Sequence, residues 1–325
     1  MAIRKLAFTV VELLVVISII ALLMGLILPA IVAVKETMRR AHCINNQVQL
    51  YKGIALFESA KGHLPPGRAF ASLPATAYTK PANWDTPGQT VTWVYFTLPY
   101  IEKTSVQAQM DGILKSGGNL NTLPSVAIKL LHCASDATDQ NPMRISYGPN
   151  LGLPDVPTTN NSALPFDWPA NGALLTRLKG SNPAEVQKLE QQTIGDIANG
   201  DGTSNTILLA ENHYLDVWHY VTSEFNVGIV WQETPASTPR LGLDQPFMPG
   251  PQSDVAHARP SSLHPAGFVM VKCDGSAKFV ANTIDYNVYC QLMTSEGRRY
   301  KSAGATTSIP AVVAAQQLPL SDDSY

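Results

Sequence analysis

Apolar positions dominate the start of the chain without a break. From Phe8 to Leu28, 21 residues are almost wholly apolar, and between Lys5 and Lys35 the only ionisable side chain is Glu12. A run of that length is enough to cross a bilayer as one helix. It exceeds the apolar region of a secretory signal peptide and passes through Pro29 into Lys35-Glu36-Thr37-Met38-Arg39-Arg40 with no small-residue cleavage site. Beyond Pro29 the period changes. Ile44, Val48, Tyr51 and Ala55 recur at spacings of four and three, which predicts one apolar helical face. Gly62 and Pro65-Pro66-Gly67 stop the pattern. The resulting helix, 8–60, would be about 80 Å long at 1.5 Å per residue, with 8–28 in the membrane and the remainder free to pack on a head.

The rest of the chain alternates strand-like runs with Pro-rich loops. Val91 to Leu98 is β-branched and aromatic and predicts a strand closed by Pro99; Glu102 to Leu114 predicts a short helix. Thr206–Ala210 and Val227–Trp231 read as further strands. The stretches His63–Gly88, Asn150–Pro169 and Thr234–Pro251 read as loops. Gly267–Cys273 and Ala277–Val280, separated by Asp274-Gly275-Ser276, form the strongest short hairpin signal in the chain. The predicted division is a basic leader 1–7, the helix 8–60, a β-rich head 61–300 and a tail 301–325 of Ala, Ser, Thr and Pro.

Composition narrows the function classes. The 325 residues are 45% hydrophobic and only 15% charged, which argues against disorder. With 23 basic against 25 acidic residues, no overall field attracts nucleic acid. No nucleophile elbow, S-x-x-K arrangement or phosphate loop is present, so no enzyme is expected. Glu12 is the exception that a plain anchor does not explain, because a carboxylate inside an apolar span costs free energy unless it is used.

The N-terminal residues carry a resemblance. Arg4-Lys5-Leu6-Ala7-Phe8-Thr9-Val10-Val11-Glu12-Leu13-Leu14 resembles the class III signal of type IV prepilins and pseudopilins: a short basic leader, a small residue, Phe, and an acid four positions later. The resemblance implies cleavage by a prepilin peptidase between Ala7 and Phe8, methylation of Phe8, and pairing of Glu12 with the terminal amine of a neighbouring subunit. Pro29 stands where pilins often carry a helix-kinking proline. Ala7 departs from the glycine usual before the cut. Charges flank the span on both sides, so the placement of the N-terminus in the cytoplasm, and of the exported head beyond the inner membrane, also rests on the resemblance.

The head resembles a bacterial family of prepilin-type proteins named for an H-x9-D-G signature and classed as a domain of unknown function. The residues that carry this are His264, then Asp274-Gly275, with Cys43-Ile44-Asn45-Asn46-Gln47, His63-Leu64-Pro65-Pro66-Gly67, Cys133-Ala134-Ser135-Asp136, Tyr147 to Gly152 and Asp201-Gly202-Thr203-Ser204-Asn205-Thr206 in order. It implies a pilin-like α+β fold, the long helix laid on an antiparallel sheet, and no known ligand.

Three constellations remain. His264 and Asp274 invite a metal or catalytic reading, but no third and fourth ligand is visible, so His264, Asp274 and Gly275 are expected to be structural. The loop holding Asn199, Asp201 and Asn205 is a calcium candidate with few carboxylates, against a hydrogen-bonded Asx turn as the favoured alternative. Four cysteines allow three connectivities. The expected pairs are Cys43–Cys133, tying helix to head, and Cys273–Cys290, with buried free thiols as the alternative. The function expected is a membrane-inserted subunit of a pilus-like or pseudopilus fibre, with inner-membrane lipid, a prepilin peptidase and other pilin-like subunits as partners. The alternative is a non-polymerising, surface-anchored binding module.

Overall fold

Leu, Ile, Val and Ala, with no strong helix breaker but Pro29, hold the chain in helix from Val10 to Lys61 (α1, 52 residues). Proline removes one backbone donor, and the helix continues through it. Gly62 ends the helix with φ +77°, its N–H bonded to the Glu58 carbonyl at 2.7 Å. The computed structural model describes residues 10–70, 90–136, 141–153, 169–174, 192–221, 224–231, 257–297 and 320.

The two halves of α1 meet different surroundings. Its apolar first half is exposed throughout, as at Val10, Leu13, Leu22, Leu26 and Ile31. The second half buries Cys43, Asn46, Gln47, Leu50, Gly53, Ile54 and Phe57, one face at spacings of three and four. The expected stripe of Ile44, Val48, Tyr51 and Ala55 lies beside this face and is half-buried. The centre of the face is partly polar: Gln47 Nε2 donates to the Val269 carbonyl at 2.9 Å, and Asn46 Nδ2 to the His132 carbonyl at 3.0 Å. An apolar pattern search passes over such positions, although buried amides with partners belong in a core.

α1 lies on a five-stranded mixed sheet built from β3 (Tyr147–Gly152), β4 (Ile207–Glu211), β5 (Ile229–Val230), β6 (Gly267–Lys272) and β7 (Ala277–Ala281), in the order β5-β3-β4-β6-β7. β5 runs parallel to β3, and the other pairs are antiparallel. Alternation along β6 separates two cores. Val269 and Val271, with Cys273 just beyond, join the cluster around α1, whereas Phe268 and Met270 join a second cluster with α5 (Tyr286–Met293). Both faces of the central strands are therefore covered. On β4 the register shifts between Ile207 and Leu209, so Leu208 and Leu209 both join the α1 cluster.

Several expected elements differ. Val91–Leu98 is not one strand: β2 (Thr90–Thr92) pairs with β1 (Arg68–Phe70), then α2 (Trp93–Thr97) begins, followed by a 3-10 turn over Leu98–Ile101. The reason is local, since Thr92 Oγ1 caps α2 by accepting from Val94 N at 3.2 Å. The helix expected after Glu102 is α3 (Thr104–Lys115). Nothing in the local sequence pattern predicts the strand β3 or the helices α4 (Ile194–Asn199) and α5. The tail, Leu320 apart, and most of the Pro-rich loops lie outside the described residues.

Candidate metal centre at the helix–head junction

Four elements converge just below the apolar half of α1. Cys43 comes from the first turn of α1 that enters the core. Cys133 follows a 3-10 turn at Lys129–Leu131, Glu211 closes β4, and His264 precedes β6. One donor atom from each lies within 4.8 Å of every other, and all four residues are buried. His264 and Cys43 are 0% exposed and Glu211 is 1% exposed, so these donor groups are shut off from water.

The imidazole organises the cluster. His264 Nε2 stands 3.3 Å from Cys133 Sγ and 3.4 Å from Glu211 Oε1. Its other nitrogen, Nδ1, lies 2.6 Å from Glu36 Oε1 on α1 and 3.1 Å from Ser135 Oγ. Glu36 is fixed in turn by Arg40, whose Nε reaches Glu36 Oε1 at 3.3 Å while its Nη2 donates to the Pro265 carbonyl at 2.8 Å. The Arg40 guanidinium also sits 4.1 Å from the Phe279 ring centroid. Glu211 Oε2 accepts from Val269 N at 2.8 Å, whereas Oε1 has only the longer ion-pair contact to His264 Nε2 among the described residues. Cys43 Sγ accepts from Ala134 N at 3.3 Å.

The local electrostatics favour an anionic sulfur against a cationic ring. A hydrogen bond from Cys133 lowers the Cys43 thiol pKa against the cost of burial, with His264 adding to the shift. Cys133 moves the other way, raised by its bond to Cys43, by burial and by Glu211. Burial pulls His264 down, but Cys43, Glu211 and Glu36 outweigh it and hold the imidazole up at about 10. Burial likewise raises Glu36, and His264 with Arg40 overcomes it.

The residues singled out from the sequence fall in several places. Ala7 and Phe8 lie outside the described residues, while Glu12 sits in the first turn of α1 and Pro29 within it. Cys43 and Cys133 do meet, as free thiols and not as the expected disulfide. The expected Cys273–Cys290 pair is overturned: both thiols are free, and the sheet separates them into different core clusters. His264 and Asp274 do not share a site. Asp274 Oδ1 shapes the β6–β7 turn by accepting from Ser276 N at 2.8 Å and Ser276 Oγ at 2.6 Å. In the candidate calcium loop, Asp201 Oδ2 already accepts from Thr294 Oγ1 at 3.0 Å and Gly297 N at 2.7 Å. Asn205 Nδ2 donates to the Asp201 carbonyl at 3.1 Å, and Asn199 ends α4. That loop latches the end of α5.

Sequence reasoning missed Glu36 and Glu211. Glu36 looked like part of a charged flank beyond the span. Glu211 left one usable signal, an acid closing the apolar run Ile207-Leu208-Leu209-Ala210.

The fold is an α+β head carried on one long N-terminal helix whose first half is long and apolar enough to cross a membrane. The chain belongs to the family described as "Protein of unknown function (DUF1559)", whose model matches residues 32–287, well over half of its length. The match takes in the head-bound half of α1 and all four residues of the cluster just described. No curated protein matches the chain, and no solved structure does.

Proposed function

We propose that the chain is a pilin-like structural subunit without enzymatic activity, anchored in the inner membrane by α1, cut between Ala7 and Phe8, and assembled into a pilus-like or pseudopilus fibre. The observation that carries this reading is the division of α1: a continuous helix with one half seated in the head and the other exposed throughout and apolar but for Glu12 and Ser18. Transferring about 20 large apolar side chains out of water is worth roughly 1.5–3 kcal/mol each, which drives the helix into lipid or into a bundle of its own kind. Glu12 sets the register of that bundle, since a carboxylate misplaced in an apolar core is penalised. A head exported on this helix would coat the fibre, with other pilin-like subunits, lipid and a prepilin peptidase as partners and no role for nucleic acid. Calcium has no assigned part in the proposal.

The test is the N-terminal peptide of the protein from native envelopes, read by mass spectrometry. A mature chain beginning at N-methylated Phe8 is expected. A Met1 or Ala2 start would overturn processing and give the lead to an anchored binding module that does not polymerise. For the register role, Glu12→Ala is expected to insert normally while yielding several-fold fewer sheared fibres; fibres at the normal level would refute it.

A further inference from the structure

The buried cluster at the helix–head junction has the composition of a closed metal site, with its four donor atoms within 4.8 Å of one another. From the geometry we infer that Cys43, Cys133, Glu211 and His264 bind one zinc ion, which clamps α1 to the head. Two thiolates, one imidazole and one carboxylate, formed as the ion displaces the protons of Cys133 Sγ and His264 Nε2 to solvent, are donors that zinc takes in tetrahedral structural sites. Zinc–ligand distances of about 2.0–2.3 Å in a tetrahedron put neighbouring donor atoms about 3.3–3.8 Å apart. His264 Nε2 stands 3.3 Å from Cys133 Sγ and 3.4 Å from Glu211 Oε1.

Three further observations point to an ion. Glu211 Oε1 is buried and faces the cluster with no better partner among the described residues than the His264 Nε2 ion-pair contact at 3.4 Å, while the other oxygen of the same carboxylate is held by Val269 N at 2.8 Å. Buried carboxylate oxygens are costly to leave so, and a metal satisfies one. His264 meets the cluster through Nε2 and turns Nδ1 to Glu36 Oε1 at 2.6 Å, the carboxylate–histidine relay that orients metal-bound imidazoles. Finally, the Ala134 N–H points at Cys43 Sγ, as a donor stabilising a thiolate does.

The site gives α1 a mechanical attachment. Cys43 and Glu36 stand on the helix where it leaves the exposed apolar half, and the other three ligands belong to the head. The clamp therefore acts on any load passed between helix and head, whether or not subunits polymerise.

Full-length protein purified in detergent under reducing conditions, stripped with chelator and titrated with Zn(II) alone or Co(II) alone, tests this. Expected are one ion per chain, thiolate-to-cobalt charge-transfer absorption and the intense d–d bands of tetrahedral Co(II). Cys43→Ser and His264→Gln should weaken zinc about 100-fold or more, and Glu36→Gln, which only positions His264, about 10–100-fold. Cys273→Ser and Cys290→Ser should keep the wild-type affinity. Because a ligand variant can fail to fold, the cobalt spectrum of the wild-type chain decides independently. A spectrum without thiolate bands, less than stoichiometric binding, or an unchanged affinity in Cys43→Ser would overturn the proposal. So would non-reducing peptide mapping of the chain from envelopes that recovered a Cys43–Cys133 disulfide.

Discussion

At Gly275 the backbone takes φ +84°, and a Cβ there would stand 2.5 Å from Tyr51 Cε1 of α1. Two separate demands thus fall on one residue: a left-handed turn after Asp274, and a sheet corner pressed against the helix. Gly275→Ala is expected to lose about 2–3 kcal/mol of stability, seen as a lower denaturant midpoint, because it combines strain at positive φ with displacement of an aromatic ring. Asp274→Ala, which removes only the bonds to Ser276, should cost about 0.5–1.5 kcal/mol. An effect of Gly275→Ala as small as that would mean that Tyr51 yields freely. The turn was legible in the sequence because Asp-Gly between strands acts over four residues. The cluster was legible only as fragments. Cys43, Cys133 and His264 each stood out, but their grouping depends on contacts such as Cys133–His264, 131 positions apart, that no local pattern encodes.

Elements succeeded or failed as predictions according to whether their causes were local. The long apolar run, the Gly62 stop and the β6–β7 hairpin all follow from propensity and periodicity, and the structure has them. β3 does not: Gly148, Pro149, Asn150 and Gly152 are poor strand formers. Tertiary bonds override the propensity. Asn150 Nδ2 donates to the Ile207 carbonyl at 2.9 Å and to the Met293 carbonyl at 2.7 Å, and its Oδ1 accepts from Gly152 N at 3.0 Å. One fully buried amide thus joins β3, β4 and the end of α5. Asn150→Ala leaves those groups buried without their partner and is expected to cost about 2–3 kcal/mol. Hydrogen exchange should then show faster opening of β3 and α5 than of the β6–β7 hairpin. Uniform acceleration across the sheet would refute a local linking role.

On the scale of the whole molecule, a chain with few charges folds by hiding polar groups as well as apolar ones. His213 and His219 are 6% and 4% exposed, and both have pKa values pushed down to about 4. Burial is the main cause in each, with Arg144 and His257 adding repulsion at His213. A free histidine titrates near 6.5. Below that pH the unfolded chain takes up protons that the native state refuses until about pH 4, so stability falls as pH drops through this window. Each histidine contributes a slope of up to about 1.4 kcal/mol per pH unit. His219 stacks edge-on against Trp218 and Tyr220, with centroids at 5.4 Å and 4.7 Å, a setting that a phenyl ring can also fill. His219→Phe in the full-length chain should therefore remove about 1.4 kcal/mol per pH unit from the slope between pH 4 and 6.5 while leaving stability near pH 7 little changed. Denaturant unfolding of wild type and variant across that range measures it. Parallel stability–pH curves would show that His219 is protonated in the native state and that its burial does not keep it neutral.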